Sequence, residues 1–118
     1  MNILYVEDEP SDSQLVALYV NTTSHQLVIA QNAREAREAF VQQHPDLILI
    51  DVMLSNAREG YSLIREFRAQ SFVGPVIAIT ALTTPKDVEE CQKAGFDHIV
   101  HKPFVMEQLA EIIDRYAL

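Results

Sequence analysis

A single carboxylate follows a run of four aliphatic residues near the middle of the chain. Asp51 comes directly after Leu47-Ile48-Leu49-Ile50. A short, continuously apolar run is typical of a strand that is buried on both faces of a parallel sheet. Open parallel sheets place their chemistry at the carboxyl ends of their strands. Asp51 is therefore a candidate functional residue, although an aspartate there also fits a helix cap or the first solvated position after a strand.

Four other side chains that could take part in chemistry stand at the ends of predicted strands one, four and five. They are Glu7, Asp8, Thr80 and Lys102. In a doubly wound sheet of the flavodoxin-like order, strands one, three, four and five adjoin one another. The three carboxylates would then share one crevice, where like charges at close range disfavour ionisation. A divalent cation relieves this repulsion, and an all-oxygen site suits Mg²⁺ or Mn²⁺ rather than zinc.

These parts are the ones that phosphoryl transfer onto an aspartate requires. A carboxylate attacks in line, a metal ion and the Lys102 ammonium neutralise charge on the phosphoryl oxygens, and the Thr80 hydroxyl donates a hydrogen bond. The chain has three glycines and no Gly-x-x-x-x-Gly-Lys loop, so it offers no glycine-rich cradle for nucleotide phosphates. The phosphoryl group is therefore expected from a small donor or from another protein.

The elements that must position these residues alternate along the chain. Strands are predicted at 3–6, 27–30, 47–50, 75–79 and about 96–100. Helices are predicted at about 10–21, 32–44, 60–69, 84–95 and 105–116. The pattern predicts an α/β fold with one five-stranded parallel sheet, doubly wound with (βα)5 topology as a flavodoxin-like three-layer sandwich. We expect residues 1–118 to form one domain.

Several local patterns specify caps and buried faces. Asn32 with Glu35 resembles a capping box, Thr84 with Pro85 marks a helix start, and Gly95 marks a helix end. Three groups of residues recur at helical spacing: Leu15, Leu18 and Tyr19 in the first helix; Tyr61, Ile64 and Phe67 in the third; and Val105, Leu109, Ile112, Ile113 and Tyr116 in the last. Cys91 is predicted to lie in the core on the fourth helix.

Composition and charge exclude several classes of function. The formal net charge is −8, which argues against direct binding of nucleic acid by this domain. No apolar stretch approaches the length of a membrane span, and the N-terminus lacks the basic start of a signal peptide. The single cysteine excludes an internal disulfide. These features predict a cytoplasmic protein without membrane contact.

Five short motifs occur in order along the chain. They are ILYVEDEP at 3–10, DLILIDVML at 46–54, ITA at 79–81, AG at 94–95 and KPF at 102–104. With these motifs at these intervals, essentially the whole chain resembles the receiver domain of bacterial two-component response regulators, a fold typified by the chemotaxis response regulator. The resemblance implies a phosphoprotein that assists its own phosphorylation and slow dephosphorylation without being a classical multi-turnover enzyme.

The resemblance implies a role for each residue around the acceptor. Asp51 would accept the phosphoryl group. Asp8, Asp51 and the backbone carbonyl of Met53 would bind Mg²⁺ or Mn²⁺ directly, with Glu7 acting through water.

A second group of residues would contact the phosphoryl oxygens. The resemblance implies that these residues are Thr80, Ala81 through its amide, and Lys102. Ile99 stands where the family usually has an aromatic residue that turns inward on activation. The segment 55–60 is one residue longer than usual, with Ser55 where the family often has proline. How phosphorylation would be relayed is left open by these two departures.

The resemblance also implies partners. A histidine kinase or a histidine phosphotransfer protein would supply the phosphoryl group. The surface of the fourth helix, fifth strand and fifth helix would then act on a downstream protein or output domain, or support a phosphorylation-dependent homodimer.

Three other interpretations share part of this pattern. A phosphatase with an aspartyl-phosphate intermediate shares the chemistry, but it requires its nucleophile after the first strand and a second Asp two residues on, where this chain has Met53. A flavin protein shares the fold, but Glu7-Asp8-Glu9 would repel its phosphate. A receiver-fold interaction module that acts independently of phosphorylation is the main alternative.

Overall fold

The computed structural model describes residues 1–54, 57–82 and 84–117, and within these ranges strands and helices alternate. The strands are β1 Asn2–Val6, β2 Gln26–Ala30, β3 Leu47–Asp51, β4 Val76–Thr80 and β5 His98–His101. The helices are α1 Pro10–Val20, α2 Ala33–Gln43, α3 Glu59–Ala69, α4 Pro85–Ala94 and α5 Met106–Tyr116. Among the described residues, no helix combines the length and the apolar character that a bilayer span requires.

The strands form one parallel sheet in the order β2-β1-β3-β4-β5. This is the doubly wound, flavodoxin-like order that the alternation of strands and helices predicts. The predicted α/β fold class is confirmed. The order also makes β1, β3, β4 and β5 consecutive neighbours, so their carboxyl ends share one edge of the sheet.

Successive residues of β3 enter two different cores. Ile48 and Ile50 belong to the core beneath α2, α3 and α4, whereas Leu47 and Leu49 belong to the core beneath α1 and α5. All four side chains are fully buried. A strand that is covered on both faces has no solvent side, which explains its unbroken aliphatic sequence and confirms the three-layer sandwich.

The core beneath α2, α3 and α4 contains the residues predicted for it. Tyr61, Ile64, Phe67 and Cys91 are all buried there. The Phe67 ring stacks on Phe40 of α2 with the ring centroids 4.4 Å apart. These contacts fix α2 and α3 against the same face of the sheet.

The predicted face of α1 is partly wrong. Leu18 is 68% exposed, and the buried residues of this helix are Val16 and Val20. Leu18 lies two residues from each of them, which turns its side chain about 200° away around the helix. Leu15 and Tyr19 are half-buried, and Tyr19 packs against the core beneath α1 and α5.

The predicted face of α5 is also too wide. Leu109 and Ile113 are buried, but Val105 is 59% exposed and Tyr116 is 37% exposed. Val105 is the N-cap residue with an extended backbone, so helical spacing does not apply to it. Tyr116 is the last residue of the helix and reaches the edge of the molecule rather than its core.

Two other local predictions differ in detail. Asn32 caps α2 by accepting from the Glu35 N–H at 2.9 Å, but the Glu35 carboxylate accepts from the N–H of Gln31 rather than completing the box. A complete capping box is present at α4, where Thr84 and Asp87 bond each other reciprocally.

β5 begins later than the predicted position of about 96. Gly95 ends α4 with a φ of 106°, and the Phe96 N–H still donates to the carbonyl of Cys91 at 3.2 Å. The helix C-cap therefore uses the residues that the apolar pattern assigned to the strand.

Candidate functional site

Five of the predicted site residues meet at the carboxyl edge of the sheet. Glu7 and Asp8 follow β1, Asp51 ends β3, Thr80 ends β4 and Lys102 follows β5. The Lys102 N–H donates to the Thr80 carbonyl at 2.8 Å, so the backbone continues the pairing of β4 with β5 up to the lysine.

Three carboxylates form a cluster at this edge. Glu7, Asp8 and Asp51 each offer one oxygen, and these oxygens all lie within 4.8 Å of one another. Glu7 is 1% exposed and Asp51 is 5% exposed, whereas Asp8 faces solvent. Within the described part of the chain, the only buried side-chain oxygen or nitrogen without a hydrogen-bond partner is Oε2 of Glu7.

The cluster fits a hard divalent cation. Its donors are all carboxylate oxygens, the set that Mg²⁺ and similar ions prefer, and one of them lacks the partner that a buried oxygen needs. The acidic pocket can therefore bind a metal ion.

Lys102 supplies the positive charge of the site. Its Nζ lies 2.6 Å from Oε1 of Glu7, 3.0 Å from Oδ2 of Asp51 and 3.1 Å from Oδ2 of Asp12. Burial by itself lowers the pKa of Lys102, but the hydrogen bonds to Glu7 and Asp51 and their charges outweigh it and raise this pKa above its ordinary value. The lysine therefore stays charged at physiological pH.

Glu7 is the most deeply buried acid of the cluster. Burial, assisted by the nearby Asp51 carboxylate, raises the pKa of Glu7 to about 7, and Lys102 opposes this rise. The Tyr5 hydroxyl donates to Oε1 of Glu7 at 3.0 Å, and burial first, then the Glu7 charge, raises the pKa of Tyr5. Oε1 of Glu7 thus accepts from both a neutral phenol and an ammonium group.

Asp51 is oriented by two donors. The Met53 N–H donates to its Oδ1 at 3.0 Å, and Lys102 donates to its Oδ2. The turn after β3 therefore fixes the carboxylate plane before any ligand arrives. The predicted contact of the Met53 backbone carbonyl with a metal ion stays a prediction.

The remaining predicted site residues are Thr80, Ala81 and Ile99. Thr80 is fully buried, and its Oγ1 accepts from the Leu82 N–H at 3.1 Å. Ala81 is exposed, next to Thr80. Ile99 pairs with Ala78 in the sheet and packs, half-buried, against the core beneath α2, α3 and α4.

Part of the loop beside Asp51 lies outside the described residues, and the predicted departure at Ser55 falls there together with Asn56. The loop is described again from Ala57, whose N–H donates to the Leu54 carbonyl at 2.8 Å. Arg58 then reaches α4, with its Nη1 3.4 Å from Asp87 and 3.1 Å from Glu90.

Sequence reasoning missed Asp12 and Tyr5. Tyr5 belongs to the predicted strand 3–6, and its hydroxyl contact with Glu7 has no local signature. Asp12 lies in the first turn of α1, where an acidic residue is ordinarily explained by the helix dipole. Its contact with Lys102 joins residues that are far apart in sequence, so no local pattern indicates it.

Comparison with known proteins gives a family match over nearly the whole chain. The family described as the response regulator receiver domain matches residues 3–114. The transcriptional regulatory protein PhoP of Escherichia coli is 32% identical over 110 residues, which are 92% of this chain and 48% of PhoP. The sensor histidine kinase RcsC of Escherichia coli is 28% identical over 117 residues, which are 99% of this chain and 12% of RcsC. The chain thus spans less than half the length of either relative.

A solved structure agrees with the same assignment. The BeF3-activated N-terminal receiver domain of Klebsiella pneumoniae RstA superposes with a TM-score of 0.86 and 26% identity, and each chain is covered to 100%.

Proposed function

Because the chain belongs to the response regulator receiver family of two-component signalling, we propose that residues 1–118 form a receiver domain whose phospho-acceptor is Asp51. The donor would be a phosphohistidine of a histidine kinase or of a histidine phosphotransfer protein. The transfer would take place in the cytoplasm. One observation carries the assignment of the acceptor: Oδ2 of Asp51 lies 3.0 Å from the Lys102 ammonium, in a cluster with two further carboxylates.

The transfer is a single exchange of bonds at phosphorus. A carboxylate oxygen of Asp51 attacks the phosphorus atom, an O–P bond forms, and the N–P bond to the donor histidine breaks. The imidazole nitrogen keeps the electron pair and takes up a proton. Lys102 neutralises charge on the phosphoryl oxygens, and the Thr80 hydroxyl and the Ala81 amide are proposed to contact them as well.

We assign the metal site to Asp8 and Asp51 as direct ligands, with the Met53 carbonyl, and with Glu7 through water. The proposed ion is Mg²⁺ or Mn²⁺, which when bound would neutralise charge on the transferring group. The support is the all-oxygen cluster and the unpartnered Oε2 of Glu7.

The proposed output is a change on the surface formed by α4, β5 and α5, which would act on a downstream protein or output domain or on a second copy of the chain. With Ile99 in place of an aromatic residue, the relay would use a smaller side chain at the sheet edge. Direct binding of nucleic acid by this domain is not expected, since the net charge is −8.

A phosphorylation assay separates this function from that of a module that acts without phosphorylation. Purified protein is incubated with radiolabelled acetyl phosphate and Mg²⁺, and in a second series with a phosphorylated histidine kinase. Wild type is expected to become labelled and Asp51→Asn is not. Asp114→Asn, which changes an exposed aspartate on α5, is the matched control and is expected to label like wild type. Labelling of Asp51→Asn, or no labelling of wild type by either donor, would contradict the proposal.

A further inference from the structure

We infer that Asp12 is a positioning residue that holds Lys102 in the resting site and releases it to the incoming phosphoryl group. The inference rests on the proposed function. Its basis is the set of carboxylate oxygens around Nζ of Lys102, which belong to Glu7 at 2.6 Å, Asp51 at 3.0 Å and Asp12 at 3.1 Å.

Three carboxylates surround the lysine ammonium in this arrangement. It donates hydrogen bonds to Glu7 and Asp51, and Asp12 forms an ion pair with it at 3.1 Å. A phosphoryl oxygen that approaches Lys102 therefore competes with these three carboxylates for the ammonium.

Burial decides which carboxylate is released. The side chain of Glu7 is 0% exposed and that of Asp51 is 7% exposed, but that of Asp12 is 28% exposed. A buried carboxylate that loses its cation is left as an uncompensated charge, whereas water can solvate Asp12 as soon as the contact breaks. Asp12 is therefore the carboxylate that separates from Lys102 at the lowest cost in free energy.

The helix dipole alone does not account for this geometry. Asp12 would stabilise the first turn of α1 wherever its side chain pointed. Its carboxylate instead contacts a lysine that follows β5, which β3 and β4 separate from β1 in the sheet, and so it links the start of α1 to the phosphoryl-binding group. It also adds a negative charge at the place where an anionic donor must approach.

Two consequences follow for phosphorylation. Replacing the Asp12 carboxylate by a neutral amide removes the charge attraction that holds it beside Lys102. Loading of Asp51 in Asp12→Asn should therefore be faster, by about two- to fivefold. Loss of the phosphoryl group should stay unchanged, because in the loaded protein Asp12 has already left the lysine.

The test compares loading with loss at saturating Mg²⁺. Wild type, Asp12→Asn and Asp12→Glu are loaded with acetyl phosphate, and the loss of label is followed after the donor is removed. Glu38→Gln removes one charge from the exposed surface of α2 and is the matched control. We expect faster loading for Asp12→Asn only, equal loss rates for all four proteins, and recovery of the wild-type loading rate by Asp12→Glu.

A second measurement needs no phosphoryl donor. In the metal-free protein, the ¹H–¹⁵N signal of the Lys102 ammonium is expected to exchange more slowly with water in wild type than in Asp12→Asn, because the variant lacks the Asp12 ion pair beside the ammonium. A similar urea unfolding midpoint for the two proteins shows that the fold is unchanged.

Different results would contradict the proposed function and the role of Asp12. Wild type that takes up no label contradicts the proposed function. Wild type that loads normally, with Asp12→Asn loading no faster or losing its label at a different rate, contradicts this inference alone. An unchanged ammonium signal in Asp12→Asn also contradicts it.

Discussion

Nζ of Lys102 lies 2.6 Å from Oε1 of Glu7, closer than the 3.0 Å that separates it from Oδ2 of Asp51. The lysine is therefore shared between a deeply buried acid and the proposed phospho-acceptor, and its shorter contact is with the buried acid. The same ammonium thus holds the Asp51 carboxylate and contacts a second acid.

Removing the lysine charge should destabilise the metal-free protein. We expect Lys102→Met to lower the free energy of unfolding by about 3 kcal/mol, because the buried acids then lack their counter-charge. Urea unfolding with a chelator measures the change, and adding Mg²⁺ should recover part of it. Lys86→Met, at an exposed position of α4, is the control, and an equal loss in both variants would show that burial of the cluster is unimportant.

The buried acid Glu7 should make the stability of the metal-free protein fall as pH rises. Burial raises the pKa of Glu7 from 4.5 to about 7. The folded protein therefore binds this proton more tightly than the unfolded chain does. The resulting stability is complete below the unfolded pKa of 4.5 and is lost as the pH rises through about 7.

Urea unfolding in a chelator at several pH values across this window tests the prediction. The decrease should be smaller in Glu7→Gln than in wild type by roughly 1–3 kcal/mol. Parallel curves for the two proteins would mean that Glu7 does not titrate in this window.

Gly60 should not tolerate a side chain. A Cβ at this position would lie 2.6 Å from Cα of Val52 and 3.0 Å from the carbonyl oxygen of Asp51, and backbone atoms cannot move aside cheaply. We expect Gly60→Ala to destabilise the fold by about 1–3 kcal/mol and to slow phosphorylation of Asp51. Ser62→Ala, on the exposed face of the same helix, should change neither, and a wild-type result for Gly60→Ala would refute the close packing.

Two residues of α1 should differ sharply in their contribution to stability. Val16 is fully buried, so Val16→Ala should cost about 2 kcal/mol. Leu18 is 68% exposed, so Leu18→Ser should change stability by less than about 0.5 kcal/mol. Thermal or urea unfolding of both variants checks this, and a larger loss for Leu18→Ser would reverse the assignment of the helix faces.

The sequence alone was sufficient to predict which side chains lie together at the carboxyl edge of the sheet. A strand that is buried on both faces must be apolar throughout, so the run 47–50 could be recognised locally, and Asp51 with it. Because parallel strands end at the same edge, Glu7, Asp8 and Lys102 could be placed near Asp51 without coordinates.

Contacts that join elements distant in sequence were decided only by the tertiary structure. Helical spacing states which residues share a face, but the packing of α1 on the sheet decided that Val16, and not Leu18, is buried. The contact of Asp12 with Lys102 has the same origin, since it depends on how the start of α1 is set beside the end of β5. Local pattern reflects the geometry of one element, whereas the competition for the Lys102 ammonium involves three elements, and only the folded chain brings them together.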